Sequence, residues 1–217
     1  MSNDSKPGLT AAGKKNRRDL YLIIGILAAV VIASTTLYRA ASSGAINLPN
    51  LLGTSNNGAL ISPPLALADL QLQSLSGEPF DYAAQQPQWT MLLLAGAECD
   101  EACKQNLYLS RQVRSAMGKE APRIRRYLVT TGPLSAETEA YLVKEHPTLL
   151  QLRADRTAVE RFLAPGLGGK DAFNDHLYFV VDPNGWVMMF YTPAHDGKAV
   201  MADLKFLLKY SHEQDEG

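Results

Sequence analysis

Cysteine is nearly absent from this chain: 217 residues hold two of them, Cys99 and Cys103. So few thiols exclude a small scaffold stapled by several disulfides. Charge of one sign is also missing, since the formal net charge is -1 and no long basic run occurs, so the electrostatic footprint of a nucleic-acid binder is absent. No glycine-rich phosphate loop, no Ser/His/Asp arrangement and no internal repeat is evident. Long apolar runs are scarce as well, with one exception near the N-terminus.

That exception, residues 20–38, carries no charge and is rich in Leu, Ile, Val and Ala. As a helix it extends roughly 30 Å, the thickness of a bilayer's hydrocarbon. A cleaved signal peptide is the rival reading, but its apolar core runs to only about 7 to 15 residues, which favours an uncleaved anchor. Lys6, Lys14, Lys15, Arg17 and Arg18 precede the run and Arg39 alone follows it, so the positive-inside bias expects residues 1–19 in the cytoplasm. In a bacterium this makes the chain a single-pass protein of the inner membrane, with its C-terminal domain in the periplasm. Residues 39–64, rich in Ser, Asn, Gly and Pro without periodicity, read as a flexible tether.

A composition that is 46% hydrophobic leaves enough for one domain, residues 65–217. Short strands or a hairpin are expected over 65–75, with a turn at Gly77-Glu78-Pro79. Residues 89–95, Trp-Thr-Met-Leu-Leu-Leu-Ala, form a short apolar run of the kind that makes a strand buried on both faces. Leu109, Val113, Ala116 and Met117 recur at helical spacing, predicting an amphipathic helix over 101–117. Residues 123–130 read as a second strand, and its arginines as a solvated strand edge. Further on come a helix over 135–145 capped by Ser135, a strand over 148–152, a helix over 156–163 and a mobile Pro165–Gly169 loop. A strand over 176–181, a turn at Asp182-Pro183-Asn184-Gly185, a hairpin partner over 186–191 and a C-terminal helix with Val200, Met201, Leu204, Leu207 and Leu208 inward complete the domain. The order implies an α/β domain with a thioredoxin-like fold, a central mixed sheet flanked by helices, preceded by one transmembrane helix.

Cys99 and Cys103 fall where the first buried strand hands over to a helix, at the carboxyl edge where open α/β sheets place their sites. Four residues apart on a helix, their sulfurs face one side. Three readings follow: a soft-metal site, a redox dithiol, or a structural staple, the last weakened because so short a loop removes little unfolded-state entropy. Two thiolates and an imidazole suit trigonal Cu(I), for which His176 is the candidate; zinc needs a fourth ligand, such as His146 or His195. As a redox dithiol, Cys99 at the turn would exchange first and Cys103 would resolve the mixed disulfide.

Residues 61–210 resemble the Sco/SenC family, on three features: Cys99-x-x-x-Cys103 after a buried strand; Leu128-Val129-Thr130 followed by Glu137-x-x-x-Tyr141-x-x-x-Glu145-His146-Pro147; and His176 leading into Tyr178-Phe179-Val180-Val181-Asp182-Pro183-Asn184-Gly185. Proline follows each cysteine in that family; here Asp100 and Lys104 stand there. The resemblance implies a membrane-anchored thioredoxin-like protein that handles copper in cytochrome c oxidase assembly. Its implied ligands are Cys99, Cys103 and His176, and its implied partners an oxidase subunit or a copper-donor protein. A thiol-disulfide oxidoreductase and a non-catalytic interaction module are the alternatives.

Overall fold

The structure, a computed structural model, describes residues 12–42 and 56–211. The chain divides into two units, Met1–Ser55 and Asn56–Gly217. In the first, helix α1 spans Ala12–Ser42, and within it Leu20–Ala40 is long and apolar enough to cross a membrane, with a mean hydropathy of 2.4. Its apolar side chains from Leu20 to Tyr38 are exposed. The expected cytoplasmic segment lies outside the described residues up to position 11, as do half of the tether, over 43–55, and the tail including His212.

The second unit is a six-stranded mixed sheet in the order β1-β6-β5-β2-β3-β4, formed by β1 Ala59–Ala66, β2 Trp89–Ala95, β3 Ile124–Thr130, β4 Leu150–Arg153, β5 Tyr178–Val181 and β6 Trp186–Tyr191. β2 runs parallel to β3, and β3 to β4, whereas β5 is antiparallel to both β2 and β6, and β1 antiparallel to β6. Helices α2 Glu101–Ala116, α3 Ala136–Glu145, α4 Arg156–Leu163 and α5 Gly197–Ser211 cover the sheet. The alternation of side chains explains the unbroken apolar sequence of β2. Trp89, Met91, Leu93 and Ala95 enter the core shared with Leu107, Val113, Leu142, Val200 and Leu204 on one face. Leu92 enters the other, with Ile61, Leu67, Val159 and Leu163. β5 is divided in the same way, Tyr178 and Val180 to the first face, Phe179 and Val181 to the second.

Several expectations need correction. The tether ends before position 64, because residues 59–64 belong to β1, an edge strand, the setting where a sheet tolerates Pro63 and Pro64. The buried stripe of α2 is Cys103, Asn106, Leu107, Ser110 and Val113, with Ala116 exposed, so two polar residues lie on its inward face. β3 is no edge. Arg126, 2% exposed in its middle, donates to Ser110 Oγ at 3.0 Å and to the Leu107 carbonyl at 3.0 Å. In the Pro165–Gly169 loop Pro165, Gly168 and Gly169 are exposed, whereas Leu167 is buried and a Cβ on Gly166 would lie 2.6 Å from Ile61 Cγ2. In α5 a buried Asp203 joins the apolar stripe, its carboxylate accepting from the backbone N–H of Asn57 and Gly58 and from the Tyr191 hydroxyl. That carboxylate fixes the point where the chain enters the domain. Burial and the adjacent Asp203 charge raise the Tyr191 phenol well above its usual range.

Candidate functional site

The loop leaving β2 is pinned from two sides, the Ala95 carbonyl accepting from Thr131 N–H at 3.1 Å and the Ala97 carbonyl from Ser135 N–H at 3.0 Å. It ends in Asp100, the N-cap of α2, whose carboxylate accepts from the Cys103 N–H at 2.9 Å. Cys99 precedes the cap, and its N–H points at Thr138 Oγ1, 3.4 Å away at the start of α3. The cysteines thus straddle the helix start. They are joined as a disulfide with Cα atoms 5.2 Å apart, within the ordinary range for such a bridge. Neither is freely exposed: Cys99 is 5% and Cys103 8% accessible.

Beside them lies a cleft of about 350 Å³, lined among others by Glu98, Asp100, Cys103, Asn106, Arg156 and His176. Cys103 is among the residues that line it and Cys99 is not, although the two are almost equally buried. The His176 imidazole is half-buried, with Nδ1 3.9 Å from Asp100 Oδ1. Sequence reasoning placed His176 at a strand start, but β5 begins at Tyr178, and His176 closes the loop before it with a φ of +48°. That loop is tightly built: Asp171 Oδ1 accepts from the N–H groups of Phe173 and Asn174, and the Arg156 guanidinium stands 4.3 Å over the Phe173 ring. Asn106, one helical turn beyond Cys103, donates through Nδ2 to the His176 carbonyl at 2.8 Å.

The other histidines serve elsewhere. His195 Nδ1 is held by Thr192. His146 is buried between Arg126 and Tyr141, its Nε2 3.1 Å from the Tyr141 hydroxyl. Burial, then the Arg126 and Arg111 charges, push its pKa down to about 4, so it is neutral at physiological pH. Neither His146 nor His195 lines the cleft beside the cysteines. Among the described residues no three metal-capable side chains converge with the sulfurs bonded to each other. Reduction would free two soft donors beside a cleft that already holds an imidazole, the donor chemistry that suits Cu(I).

Thr138, Asn106, Arg156 and Asp171 were not singled out in the sequence. Asp171 and Asn174, three apart just before an apolar run, carried a turn signal that would have found the loop. Asn106 and Thr138 carried none.

Residues 89–211, more than half of the chain, match the family model for the transmembrane-like, thioredoxin-like C-terminal domain. The chain belongs to this family. For a transmembrane-like, thioredoxin-like protein the single apolar helix α1 and the mixed sheet are the expected parts. No curated protein matches the sequence significantly. Among solved structures, apo Sco1 from Thermus thermophilus is 22% identical with a TM-score of 0.52, covering 71% of this chain and 98% of that one. Copper-bound yeast Sco1 is 16% identical at a TM-score of 0.51, covering 72% and 95%. Copper-bound ScoI from Arabidopsis thaliana is 12% identical at 0.50, covering 68% and 97%. At these identities the likeness establishes a shared thioredoxin-like fold.

Proposed function

We propose that this protein is a Sco-like dithiol carrier, anchored in the bacterial inner membrane with its C-terminal domain in the periplasm. Its reduced Cys99/Cys103 pair takes Cu(I) as cargo, with His176 as third ligand, for the copper site of cytochrome c oxidase. The observation that supports it best is the single cleft shared by Cys103 and His176 at the start of α2. Two thiolates and an imidazole are soft or borderline donors that match Cu(I) in number and kind. The copper-bound Sco relatives of the same fold lend the cargo. An oxidase subunit or a copper-donor protein would be the partner.

The test is an anaerobic Cu(I) titration of the reduced full-length chain in detergent. Cys99→Ser and Cys103→Ser are expected to abolish tight binding, and His176→Ala to weaken it. Unchanged affinity in both serine variants overturns the copper reading.

A second reading, thiol–disulfide exchange, is favoured by the bonded sulfurs themselves. A partner thiolate attacks the Cys103 sulfur, the S–S bond breaks, and Cys99 leaves as thiolate with the bond's electron pair. The partner's second thiol then displaces Cys103, so the partner dithiol is oxidised as this pair is reduced. Reduction by a partner dithiol without measurable Cu(I) affinity would select this reading over the first.

A further inference from the structure

Among the described residues His176 alone, glycines aside, has a positive φ. The left-handed region is sparsely populated by residues with a Cβ, and a side chain persists there only where its surroundings over-determine it. From the loop side, His176 N–H donates to the Phe173 carbonyl at 3.0 Å and Leu177 N–H to the Ala172 carbonyl at 2.9 Å. From the α2 side the Asn106 amide donates to the His176 carbonyl, while Asp100 Oδ1 stands 3.9 Å from the His176 Nδ1. Asn106 is 7% exposed and sits on the inward face of α2, three residues past Cys103. A largely buried side-chain amide that donates to a carbonyl outside its own helix ties the two segments together, because breaking the bond leaves the amide few alternative partners. Here the tied segments are the helix that carries the dithiol and the loop that carries the imidazole.

We propose that Asn106 is the positioning residue of this site: by clamping the carbonyl of the left-handed His176 to α2, it sets where the imidazole stands relative to Cys103. The inference rests on the reading of Cys99, Cys103 and His176 as the working groups. The bond that Asn106 makes to this loop is to the His176 carbonyl. Asn106 acts through the backbone of His176, which distinguishes it from a ligand.

The test is a double-mutant cycle on the reduced full-length chain in detergent micelles, with Cu(I) competed against bicinchoninate under anaerobic conditions. Asn106→Ala is expected to weaken Cu(I) binding by about 10-fold, the scale of lost outer-shell support. In a His176→Ala background the same substitution is expected to change the affinity less than twofold, since there is no imidazole left to place. A full loss that persists without His176, or no loss where His176→Ala alone gives one, overturns the proposal. If both cysteine-to-serine variants bind Cu(I) as the parent does, the reading of the site has failed instead, and the cycle shows which. Asn106→Leu, close in size, uncharged and without the donor, repeats the test should the alanine variant unfold. The parent chain gives a readout needing no variant: an Asn106 side-chain amide that exchanges with D2O as fast as that of exposed Asn174 overturns the clamp, and a protected one supports it.

Discussion

Lowering the pH should destabilise this domain through His146 well before its carboxylates are all protonated. The imidazole is 2% exposed, faces the Arg126 guanidinium of β3 and Arg111 of α2, and is bonded to the Tyr141 hydroxyl, with Glu145 alone opposing. Its pKa falls from 6.5 to about 4, chiefly through burial. Above 6.5 neither the folded nor the unfolded imidazole carries a proton, so it costs nothing there. Between 6.5 and 4 the unfolded chain binds a proton that the folded chain refuses, and stability falls as the pH falls. At about pH 4.5 the loss integrates to about 2.5 kcal/mol. For a domain of ordinary stability that is a large fraction of the total.

The assay is urea unfolding of the full chain in mild detergent, followed by tryptophan fluorescence between about pH 7.5 and 4.5, for the parent and His146→Gln. Carboxylates titrate alike in both, so the difference between the two curves isolates the histidine. The parent is expected to lose about 2.5 kcal/mol more than the variant across that window. Arg126→Met should reduce the excess without abolishing it, because burial is the larger cause and remains. Parallel curves for parent and His146→Gln, or an imidazole that titrates near 6.5 by NMR, would refute the reasoning.

Reducing the Cys99–Cys103 bridge, which spans a sequence separation of four, should cost no more than about 2 kcal/mol by urea unfolding with and without a phosphine reductant. A loss of twice that size would make the bridge a staple. Asp203→Ala strips the partner from two backbone N–H groups and the Tyr191 hydroxyl, and is expected to cost at least about 3 kcal/mol. Hydrogen exchange should then speed up at Asn57 and Gly58 first. Gly166→Ala drives a methyl against Ile61 Cγ2 and should cost about 1 to 3 kcal/mol, measured as a lower urea midpoint. The penalty should shrink when Ile61→Ala is introduced as well.

The elements that were legible are those whose own residues dictate them. β2 and β5 are almost wholly apolar, Thr90 excepted in β2, because both faces of the sheet's middle are covered, and α2 begins where Asp100 caps it. β1 was hidden because an edge strand with Pro63 and Pro64 has the composition of a tether, and its pairing with β6 is set by the hairpin far along the chain. Arg126 could not be told from a solvated arginine. What buries it is Leu107, Ser110 and His146, brought together by the packing of α2 and α3 on the sheet. The same holds for the candidate site. The cysteines were legible from their place after a buried run, and His176 from the apolar run that follows it. Asn106 and Thr138 act through contacts 70 and 39 residues away, which no local pattern encodes.

Asp100 and Lys104, where the Sco pattern has proline, gain a physical account from the structure. The backbone of Asp100 has a φ of -68°, a value proline itself would adopt, so the local path of the chain does not depend on the substitution. What Asp100 adds is a carboxylate that caps the Cys103 N–H, and Lys104 keeps an N–H that donates to the Asp100 carbonyl at 2.9 Å. Proline at either position would give up one of these bonds. The turn is therefore held by hydrogen bonds in place of ring rigidity, and the replacement has an electrostatic consequence. A fixed anion between the two cysteines repels the thiolates that reduction creates, and the same carboxylate stands 3.9 Å from His176 Nδ1. A cation arriving at the sulfurs relieves that repulsion. On the proposed reading, the helix N-terminus that favours thiolates and the Asp100 carboxylate that opposes them act on the same reduced pair, and Cu(I) at the sulfurs offsets the negative charge gathered there.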